Sequence, residues 1–211
     1  MNKKLVYFDN AATTPVHPKV VEKMLPYLND HYGNPSSIHS YGRKVRVAIE
    51  EAREVIADSI NAKPAEIYFV SGGTEANNFP VFGMAKTIFN EDGRNKILTS
   101  TADHHCVLES FDELKNNGFE TELLKVDSDC IINAELLENS ITDKTSLISV
   151  IHINNETGAE NDLKRITEIA KANNIFVHSD AVQSYCKIKI DVNELPVDSL
   201  SFSAHKIGGP K

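Results

Sequence analysis

The sequence contains no tryptophan, only three methionines and three cysteines, and no apolar run as long as a membrane-spanning helix requires. Cys106, Cys130 and Cys186 are odd in number and scattered, which is typical of reduced thiols in a cytosol rather than of a disulfide framework. The first residues include two lysines but no long apolar stretch, so no secretory signal peptide is predicted. We therefore expect a cytoplasmic protein that does not insert in a membrane.

Positive charge is also scarce. Lysine and arginine together number 22 against 30 aspartates and glutamates, which gives a formal net charge of −8. Because no basic run stands out either, we expect no nucleic-acid partner. The length of 211 residues suits one large domain or two small ones, and is enough to bury a core.

Short apolar segments alternate with segments of helical periodicity through most of the chain. Two helices are predicted first, over residues 20–28 and 42–60. Strands are then predicted at 66–70, 96–99, 120–126, 146–151, 175–178 and 197–203, with helices between them at 74–89, 105–116, 134–141 and 163–172. Pro80 is expected to interrupt the helix at 74–89. This alternation is typical of an α/β fold with a mostly parallel sheet and helices on both faces.

Reactive side chains follow the last predicted strand. Ser203, His205 and Lys206 come directly after it. In open α/β sheets, ligands bind beyond the carboxyl ends of the strands. A lysine placed there can form a Schiff base with a carbonyl compound. The alternative is a solvated lysine in a surface turn.

A glycine pair follows the strand predicted at 66–70. Gly72, Gly73 and Thr74 lead into the next predicted helix. Glycines allow the backbone to approach a ligand closely, and the N-terminus of a helix favours a phosphate group. A tight turn with a helix N-cap favours the same residue types, and this alternative stays open.

Polar side chains follow three more strands. His104 can stack on a flat ligand or move a proton, or it can be a helix cap or a core histidine. Asn155 offers an amide donor and acceptor, or marks a turn. Asp180 and Gln183 can address two atoms of one ring, or Asp180 can simply form a turn. No metal site is predicted, because adjacent histidines rarely bind one metal and no CxxC motif is present.

Together these groups match the requirements of pyridoxal phosphate. The cofactor needs a phosphate seat, a stacking imidazole, a carboxylate for its pyridine nitrogen, an amide for its ring oxygen and a Schiff-base lysine. The residues therefore predict a pyridoxal 5'-phosphate enzyme.

The chain also resembles a known family along essentially its whole length. It is similar to the cysteine desulfurases of the NifS/IscS type, which belong to the class V aminotransferase group of fold-type I pyridoxal phosphate enzymes. The resemblance rests on six motifs in family order: Asp9–Pro15, Gly33–Ser37, Ser71–Asn77, Asn154–Gly158, His178–Gln183 and Ser201–Lys211. The motifs are highly specific as a set, and none would suffice alone.

The resemblance implies a role for each candidate residue at the ring. Lys206 would carry the cofactor as a Schiff base, and Asp180 would pair with the pyridine nitrogen. Gln183 would contact the ring hydroxyl oxygen. His104 would stack on the ring and relay protons. Asn155 would lie near the ring oxygen and the substrate carboxylate.

The same resemblance implies the phosphate site and the reaction. Gly73, Thr74, Ser203 and His205 would hold the phosphate. L-cysteine would be converted to L-alanine, and its sulfur would pass as an enzyme persulfide to an iron–sulfur scaffold or another acceptor protein. The full-length protein is expected to be a homodimer.

The sequence departs from the family pattern at its end. It stops at Lys211, so we expect an N-terminal arm at 1–15 and an incomplete cofactor-binding large domain at 16–211. The family's small C-terminal domain and its sulfur-accepting cysteine would lie beyond. We therefore expect the chain alone to be inactive. The alternatives are another class V enzyme, such as a selenocysteine lyase or an aminotransferase, or a non-catalytic fragment that binds the cofactor or a partner.

Overall fold

The computed structural model describes residues 5–211. The chain forms two compact units. The first comprises Met1–Phe69, Lys189–Asn193 and Ala204–Lys211, and the second comprises Val70–Ile188 and Glu194–Ser203. The expected division of the chain at residue 15 stays a prediction.

The order of elements confirms the predicted alternation of strands and helices. Among the described residues the helices are α1 (Pro18–Asn29), α2 (Ser40–Ser59), α3 (Gly73–Asp92), α4 (His105–Asn116), α5 (Ala134–Ser140) and α6 (Leu163–Ala172). The strands are β1 (Lys96–Ser100), β2 (Glu120–Leu124), β3 (Thr145–Ile151), β4 (Phe176–Asp180) and β5 (Ser199–Ser201). No described helix combines the length and the apolar character that a membrane span requires.

The second unit contains one sheet of five parallel strands in the order β2-β1-β3-β4-β5. The chain moves from β1 outward to β2, and then returns to add β3, β4 and β5 on the other side of β1. The strand order therefore reverses between β1 and β3, and such a switch point leaves a crevice at the carboxyl ends of the strands.

Each face of this sheet has its own apolar core, because successive side chains of a strand point to opposite faces. One face packs against α3 and α4, in a cluster that includes Val81, Val107, Phe111, Ile97 and Leu147. The other face packs against α5 and α6, in a cluster that includes Leu137, Ile166, Ile169, Leu98 and Ile148. Helices thus cover both faces, as predicted.

The strand predicted at 66–70 does not form, so that prediction is wrong. Pro64–Glu66 is a short 3-10 turn, in which the backbone N–H of Lys63 donates to the Glu66 carboxylate at 2.8 Å. Residues 67–70 are not assigned to a strand, and no described strand pairs with them. Arg53 instead binds this segment, since its guanidinium donates to the carbonyl of Ile67 and lies 5.0 Å from the centre of the Phe69 ring. A segment can have the apolar composition of a strand and still have no strand to pair with.

The expected interruption at Pro80 is also wrong, because α3 runs without a break from Gly73 to Asp92. Pro80 has no N–H with which to bond the carbonyl of Ala76, four residues earlier. The hydroxyl of Ser201 in β5 donates to that carbonyl oxygen at 2.6 Å. A side chain from the sheet therefore replaces the missing helical hydrogen bond.

The last strand is shorter than predicted. It covers Ser199–Ser201 instead of 197–203, and a 3-10 turn at Ala204–Lys206 follows shortly after it. Before the strand, the backbone N–H of Asp198 already bonds the carbonyl of Val177. After it, Phe202 stacks on Tyr185 with ring centroids 4.0 Å apart. The pairing thus ends where the side chains begin to pack on a loop.

The first unit contains α1, α2 and the segment Lys189–Asn193, which is hydrogen-bonded to the residues at the end of α2. The carbonyl of Ile60, at the end of α2, accepts the N–H of Val192 at 3.0 Å. The Asn61 amide donates to the Asp191 carboxylate at 2.6 Å. Helix α1 buries none of its residues, and Leu28 on it is 70% exposed.

Candidate functional site

The candidate site of the second unit lies at the carboxyl edge of the parallel sheet. His104, Asn155 and Ser203 follow β1, β3 and β5, and Asp180 is the last residue of β4. Because parallel strands end at one edge of a sheet, the fold brings these four positions to the same side. This edge includes the switch point between β1 and β3.

The N-terminus of α3 begins at two glycines, Gly72 and Gly73. Its N-cap is Gly72, and no described side chain caps it by a hydrogen bond. A side chain at Gly73 would place its Cβ 3.6 Å from atoms of both Ser203 and Val182. Gly73 and Ser203, both predicted to bind phosphate, are therefore neighbours. Backbone N–H groups at a helix N-terminus favour an anion, and Thr74 adds an exposed hydroxyl.

The loop before α3 is held by the carboxylate of Glu75, in the first turn of that helix. The Glu75 side chain accepts hydrogen bonds of 2.6 Å from both the N–H and the hydroxyl of Ser71. These bonds, the hydroxyl contribution first, hold the pKa of Glu75 below its ordinary value. The Ser71 turn is therefore fixed by an ionised side chain that already has its own donors.

Asp180 places a buried carboxylate at the end of β4. The residue is 3% exposed. Its Oδ1 accepts the backbone N–H of Val182 at 2.9 Å, and its Oδ2 accepts the side-chain amide of Asn77 at 2.7 Å. Hydrogen bonds to the charged form favour an ionised carboxylate. Such a group can stabilise a cationic ring nitrogen by a charge-assisted hydrogen bond.

Two titratable groups beneath this edge are shifted by burial. Desolvation raises the pKa of Asp103 to about 7, against the lowering effect of two hydrogen bonds from Ser100. The nearby charge of Asp180 adds to the increase. Desolvation also lowers the pKa of His178 to about 3, so this imidazole is neutral at physiological pH.

His104 is the N-cap of α4, which agrees with the helix cap that the sequence offered as an alternative. Its Nδ1 accepts the backbone N–H of Cys106 at 3.3 Å, while its ring is exposed. The cap fixes the ring at the edge of the sheet. A fixed and accessible imidazole is what stacking on a flat ligand would require.

Asn155 and Gln183 have neighbours of their own. The amide of Asn155, in the turn after β3, donates to the Glu156 carboxylate at 2.7 Å. Gln183 is buried, and its Oε1 accepts the ammonium of Lys187 at 2.6 Å. The structure thus gives each amide a partner from a residue within four positions.

His205 and Lys206 belong to the first unit, where an N-terminal segment holds them. The Lys206 ammonium donates to the carbonyls of Ala11 and Ala12, the latter at 2.9 Å. His205 Nδ1 lies 3.1 Å from the Thr13 hydroxyl, and the Thr14 hydroxyl donates to the His205 carbonyl at 2.8 Å. Burial, then the charges of Lys206 and Lys211, lower the pKa of His205. The role of residues 11–14 in this turn was not predicted.

The three cysteines are free thiols in different surroundings. Cys106 is buried, Cys130 is half-buried and Cys186 is exposed. Desolvation raises the pKa of the Cys106 thiol. Within residues 5–211, no group of three His, Cys, Asp or Glu side chains could hold a metal ion.

One residue of the site was missed by the sequence analysis. Asn77 lies inside α3, is 1% exposed and contacts Asp180 directly. Its signal was present, because asparagine is disfavoured in helix interiors and two occur here in succession, at 77 and 78. A polar residue kept against helix propensity indicates a specific partner.

The sequence matches a known family along almost its whole length. Residues 6–211 match the family described as "Aminotransferase class-V". Among curated relatives, the chain is 46% identical over 208 residues to "Cysteine desulfurase IscS" of Methanosarcina thermophila, covering 99% of this chain and 51% of that protein. It is 47% identical over 209 residues to the protein of the same name from Dictyoglomus turgidum, covering 99% and 52%. The chain thus spans about half the length of these relatives.

Solved structures show the same likeness. The structure titled "SspA in complex with cysteine" superposes with a TM-score of 0.94 at 40% identity, over 98% of this chain and 59% of that one. A "NIFS-LIKE PROTEIN" superposes with a TM-score of 0.95 at 38% identity, over 99% and 57%. These matches agree with the parallel α/β sheet found here.

Proposed function

Because the chain belongs to the aminotransferase class-V family, we propose that it is the pyridoxal 5'-phosphate-binding part of a cysteine desulfurase. The observation that carries the proposal is the hydrogen bond between the carboxylate of Asp180 and the side chain of Asn77 in α3. The carboxylate of Asp180 accepts N–H groups from Val182 and from Asn77, and Asn77 lies near the N-terminus of α3. A seat for an anion and a carboxylate for a cation thus occur within one local arrangement, which suits a phosphorylated pyridinium.

The cofactor, when bound, supplies an electron sink for a substrate carbanion. The carboxylate of Asp180 would hold a negative charge against the protonated ring nitrogen. Gln183 would contact the ring oxygen through its amide. His104 would stack on the ring and would hold or move a proton at Nε2. Lys206 Nζ would be the amine that bonds the cofactor.

The remaining predicted residues bind the two anionic ends of the ligands. The phosphate would be bound by the N–H groups of Gly73 and Thr74, the hydroxyl of Ser203 and the imidazole of His205. The amide of Asn155 would bind the ring oxygen and the carboxylate of the substrate.

The substrate is L-cysteine, and the products are L-alanine and an enzyme persulfide. The C–S bond of the substrate breaks, its sulfur bonds to an enzyme thiol, and the proton of that thiol balances the new C–H bond. No external oxidant or reductant is required. We do not assign the accepting thiol to Cys106, because its burial and raised pKa disfavour a thiolate.

The wider setting follows from the relatives and from the surface. The printed name of the relatives, "Cysteine desulfurase IscS", supports removal of sulfur from cysteine, and the recipient in this proposal is an iron–sulfur scaffold or another acceptor protein. Exposed apolar residues on α1, such as Leu25 and Leu28, support a homodimer of the whole protein. Cysteine usage supports a cytoplasmic location.

The test combines cofactor binding with substrate selectivity. Pyridoxal phosphate is added to the purified protein, the excess is removed by gel filtration, and bound cofactor is measured from its visible absorbance. We expect one cofactor per chain. The whole protein should then form alanine from L-cysteine and not from L-serine, the matched oxygen analogue. Protein that elutes without cofactor, or equal turnover of both substrates, would contradict the proposal.

A further inference from the structure

The buried side chain of Asn77 makes three hydrogen-bond contacts, two through its nitrogen and one through its oxygen. Its Nδ2 donates to Asp180 Oδ2 at 2.7 Å and to Cys106 Sγ at 3.3 Å. Its Oδ1 lies 3.1 Å from His178 Nε2. A carboxylate accepts only, so the amide nitrogen must face Asp180, and this fixes the orientation of the whole group.

The orientation of Asn77 sets the tautomer of His178. The imidazole is fully buried and neutral, so it has a single N–H. Oδ1 of Asn77 is an acceptor 3.1 Å from Nε2, which places that proton on Nε2, and the backbone of Ser199 is the competing acceptor. His178 Nδ1 then accepts the hydroxyl of Ser199, 3.3 Å away in β5. A chain of hydrogen bonds, each with a defined donor, thus connects Ser199 through His178 and Asn77 to the carboxylate of Asp180.

The second N–H of the Asn77 amide is connected to His104 through the thiol of Cys106. The Cys106 sulfur accepts it and lies 3.1 Å from His104 Nδ1. The single lone pair of that nitrogen faces both the backbone N–H of Cys106 at 3.3 Å and the thiol, so the thiol is the donor in this shared contact. The raised pKa of Cys106 keeps its proton in place. His104 therefore has its own proton on Nε2, the nitrogen that faces away from this cap.

We propose that Asn77 is the positioning residue of the site: one buried amide holds the carboxylate of Asp180 directly and the imidazole of His104 through the thiol of Cys106. The inference rests on the proposed function, since Asp180 and His104 are the groups assigned to the cofactor ring. Asn77 itself acts only through these neighbours. Its donation to Oδ2 lowers the basicity of Asp180, so that the shared proton stays on the ring nitrogen.

Two properties of asparagine make it suited to this position. It carries two donors and one acceptor on a short side chain, which matches the carboxylate, the sulfur and the imidazole N–H around it. Leucine has a similar volume but no polar atom, so Asn77→Leu would remove the hydrogen bonds of Asn77 to Asp180 Oδ2 and His178 Nε2. Asn90, exposed on the same helix, provides the matched control Asn90→Leu.

The first measurement needs no cofactor and no change at Asn77. The ring nitrogens of the histidines are observed by long-range ¹H–¹⁵N NMR in the unliganded chain at neutral pH, with assignments from His178→Gln and His104→Gln. We expect the Nε2–H tautomer for both His178 and His104. The Nδ1–H tautomer at either residue would overturn the inference.

The second measurement reports the protonation of the cofactor's ring nitrogen, which Asn77 is proposed to favour. Protein is loaded with pyridoxal phosphate labelled with ¹⁵N in the ring, and the ¹⁵N shift reports how far the ring nitrogen is protonated. Loss of a hydrogen bond to a charged group predicts a drop of at least about tenfold in the ratio of protonated to unprotonated ring in Asn77→Leu. Asn90→Leu should match the wild type, and a purely structural role for Asn77 would lower only the melting temperature.

The outcomes separate the two proposals. A wild-type protein that binds no pyridoxal phosphate would overturn the proposed function and this inference with it. The inference alone would be overturned if both variants bind the cofactor and their ratios of protonated to unprotonated ring nitrogen, in Asn77→Leu and Asn90→Leu, agree within twofold. If Asn77→Leu does not fold, the histidine tautomers of the wild type still decide the geometry.

Discussion

The hydroxyl of Ser201 donates a hydrogen bond of 2.6 Å to the carbonyl oxygen of Ala76, the acceptor that Pro80 leaves without its helical donor. Ser201 lies in β5, and Ala76 lies one residue before the asparagine that holds Asp180. The bond therefore ties the first turns of α3 to the edge of the sheet. A proline within a helix is tolerated where another group bonds the freed carbonyl.

We predict that Ser201→Ala destabilises the chain and that Pro80→Ala reduces this cost. The single change leaves a buried carbonyl without its donor, for which we expect a loss of about 1–3 kcal/mol in the free energy of unfolding. In Pro80→Ala the restored backbone N–H can bond Ala76, so Ser201→Ala should then cost less than half as much. Urea denaturation of the four proteins gives the double-mutant cycle. Strictly additive costs would show that the two groups do not share this carbonyl.

His178 makes the stability of the fold sensitive to acid. Its pKa is about 3 in the folded chain, against an ordinary value of 6.5, because burial disfavours the charged form. The unfolded chain therefore binds the extra proton between these values, and the stability from His178 is complete above pH 6.5 and falls as the pH drops towards 3. Each pH unit in that window should remove about 1.4 kcal/mol.

The matched variant is His178→Gln, whose amide can still donate to Asn77 but does not titrate. Its stability at pH 7 should be lower than that of the wild type, and its loss between pH 6 and pH 4 should be shallower by the equivalent of one proton. Denaturant titrations at several pH values measure both slopes. Parallel slopes for the two proteins would show that another group causes the acid sensitivity.

The Asp180→Asn change should affect the reaction more than the binding of the cofactor. An amide has no charge with which to keep the ring nitrogen protonated, while the proposed phosphate contacts at α3 would be unchanged. In the whole protein, exchange of the substrate α-proton with solvent should therefore fall at least about tenfold, with bound pyridoxal phosphate retained. Asp143→Asn, at an exposed position, is the control. Exchange at the wild-type rate in Asp180→Asn would refute the assigned role.

The three thiols should react at very different rates. Cys186 is exposed, whereas Cys106 is buried, has a raised pKa and is hydrogen-bonded to Asn77. Iodoacetamide at pH 7.5 should therefore modify Cys186 first and leave Cys106 intact until the chain is unfolded, since the thiolate is the reactive form. Peptide mapping over time gives the rates. Fast native labelling of Cys106 would reopen its candidacy as a sulfur acceptor.

Most of the fold followed from hydrophobic periodicity, and the exceptions have identifiable causes. The helices at His105–Asn116 and Leu163–Ala172 match their predicted bounds, because each has an apolar stripe and a polar N-cap. The segment 66–70 has strand-like composition, but pairing depends on a partner that local sequence does not reveal. Pro80 was misjudged because its compensation comes from Ser201, more than a hundred residues away.

The site was predictable to the extent that its residues follow strands. Asp180, His104 and Ser203 could be located by the rule that ligands bind beyond the carboxyl ends of parallel strands. Asn77 could not, because it acts from inside a helix through three buried contacts that are distant in sequence. The hold of residues 11–14 on the Lys206 turn likewise spans almost the whole chain.

The account depends most directly on which lysine bonds the cofactor, and Lys187 is the informative rival because it already contacts Gln183 at 2.6 Å. Protein loaded with pyridoxal phosphate is reduced with borohydride, digested and mapped by mass spectrometry. The account predicts a phosphopyridoxyl label on Lys206 alone, retained in Lys187→Arg and lost in Lys206→Arg. A label on Lys187, or a full label in Lys206→Arg, would contradict it.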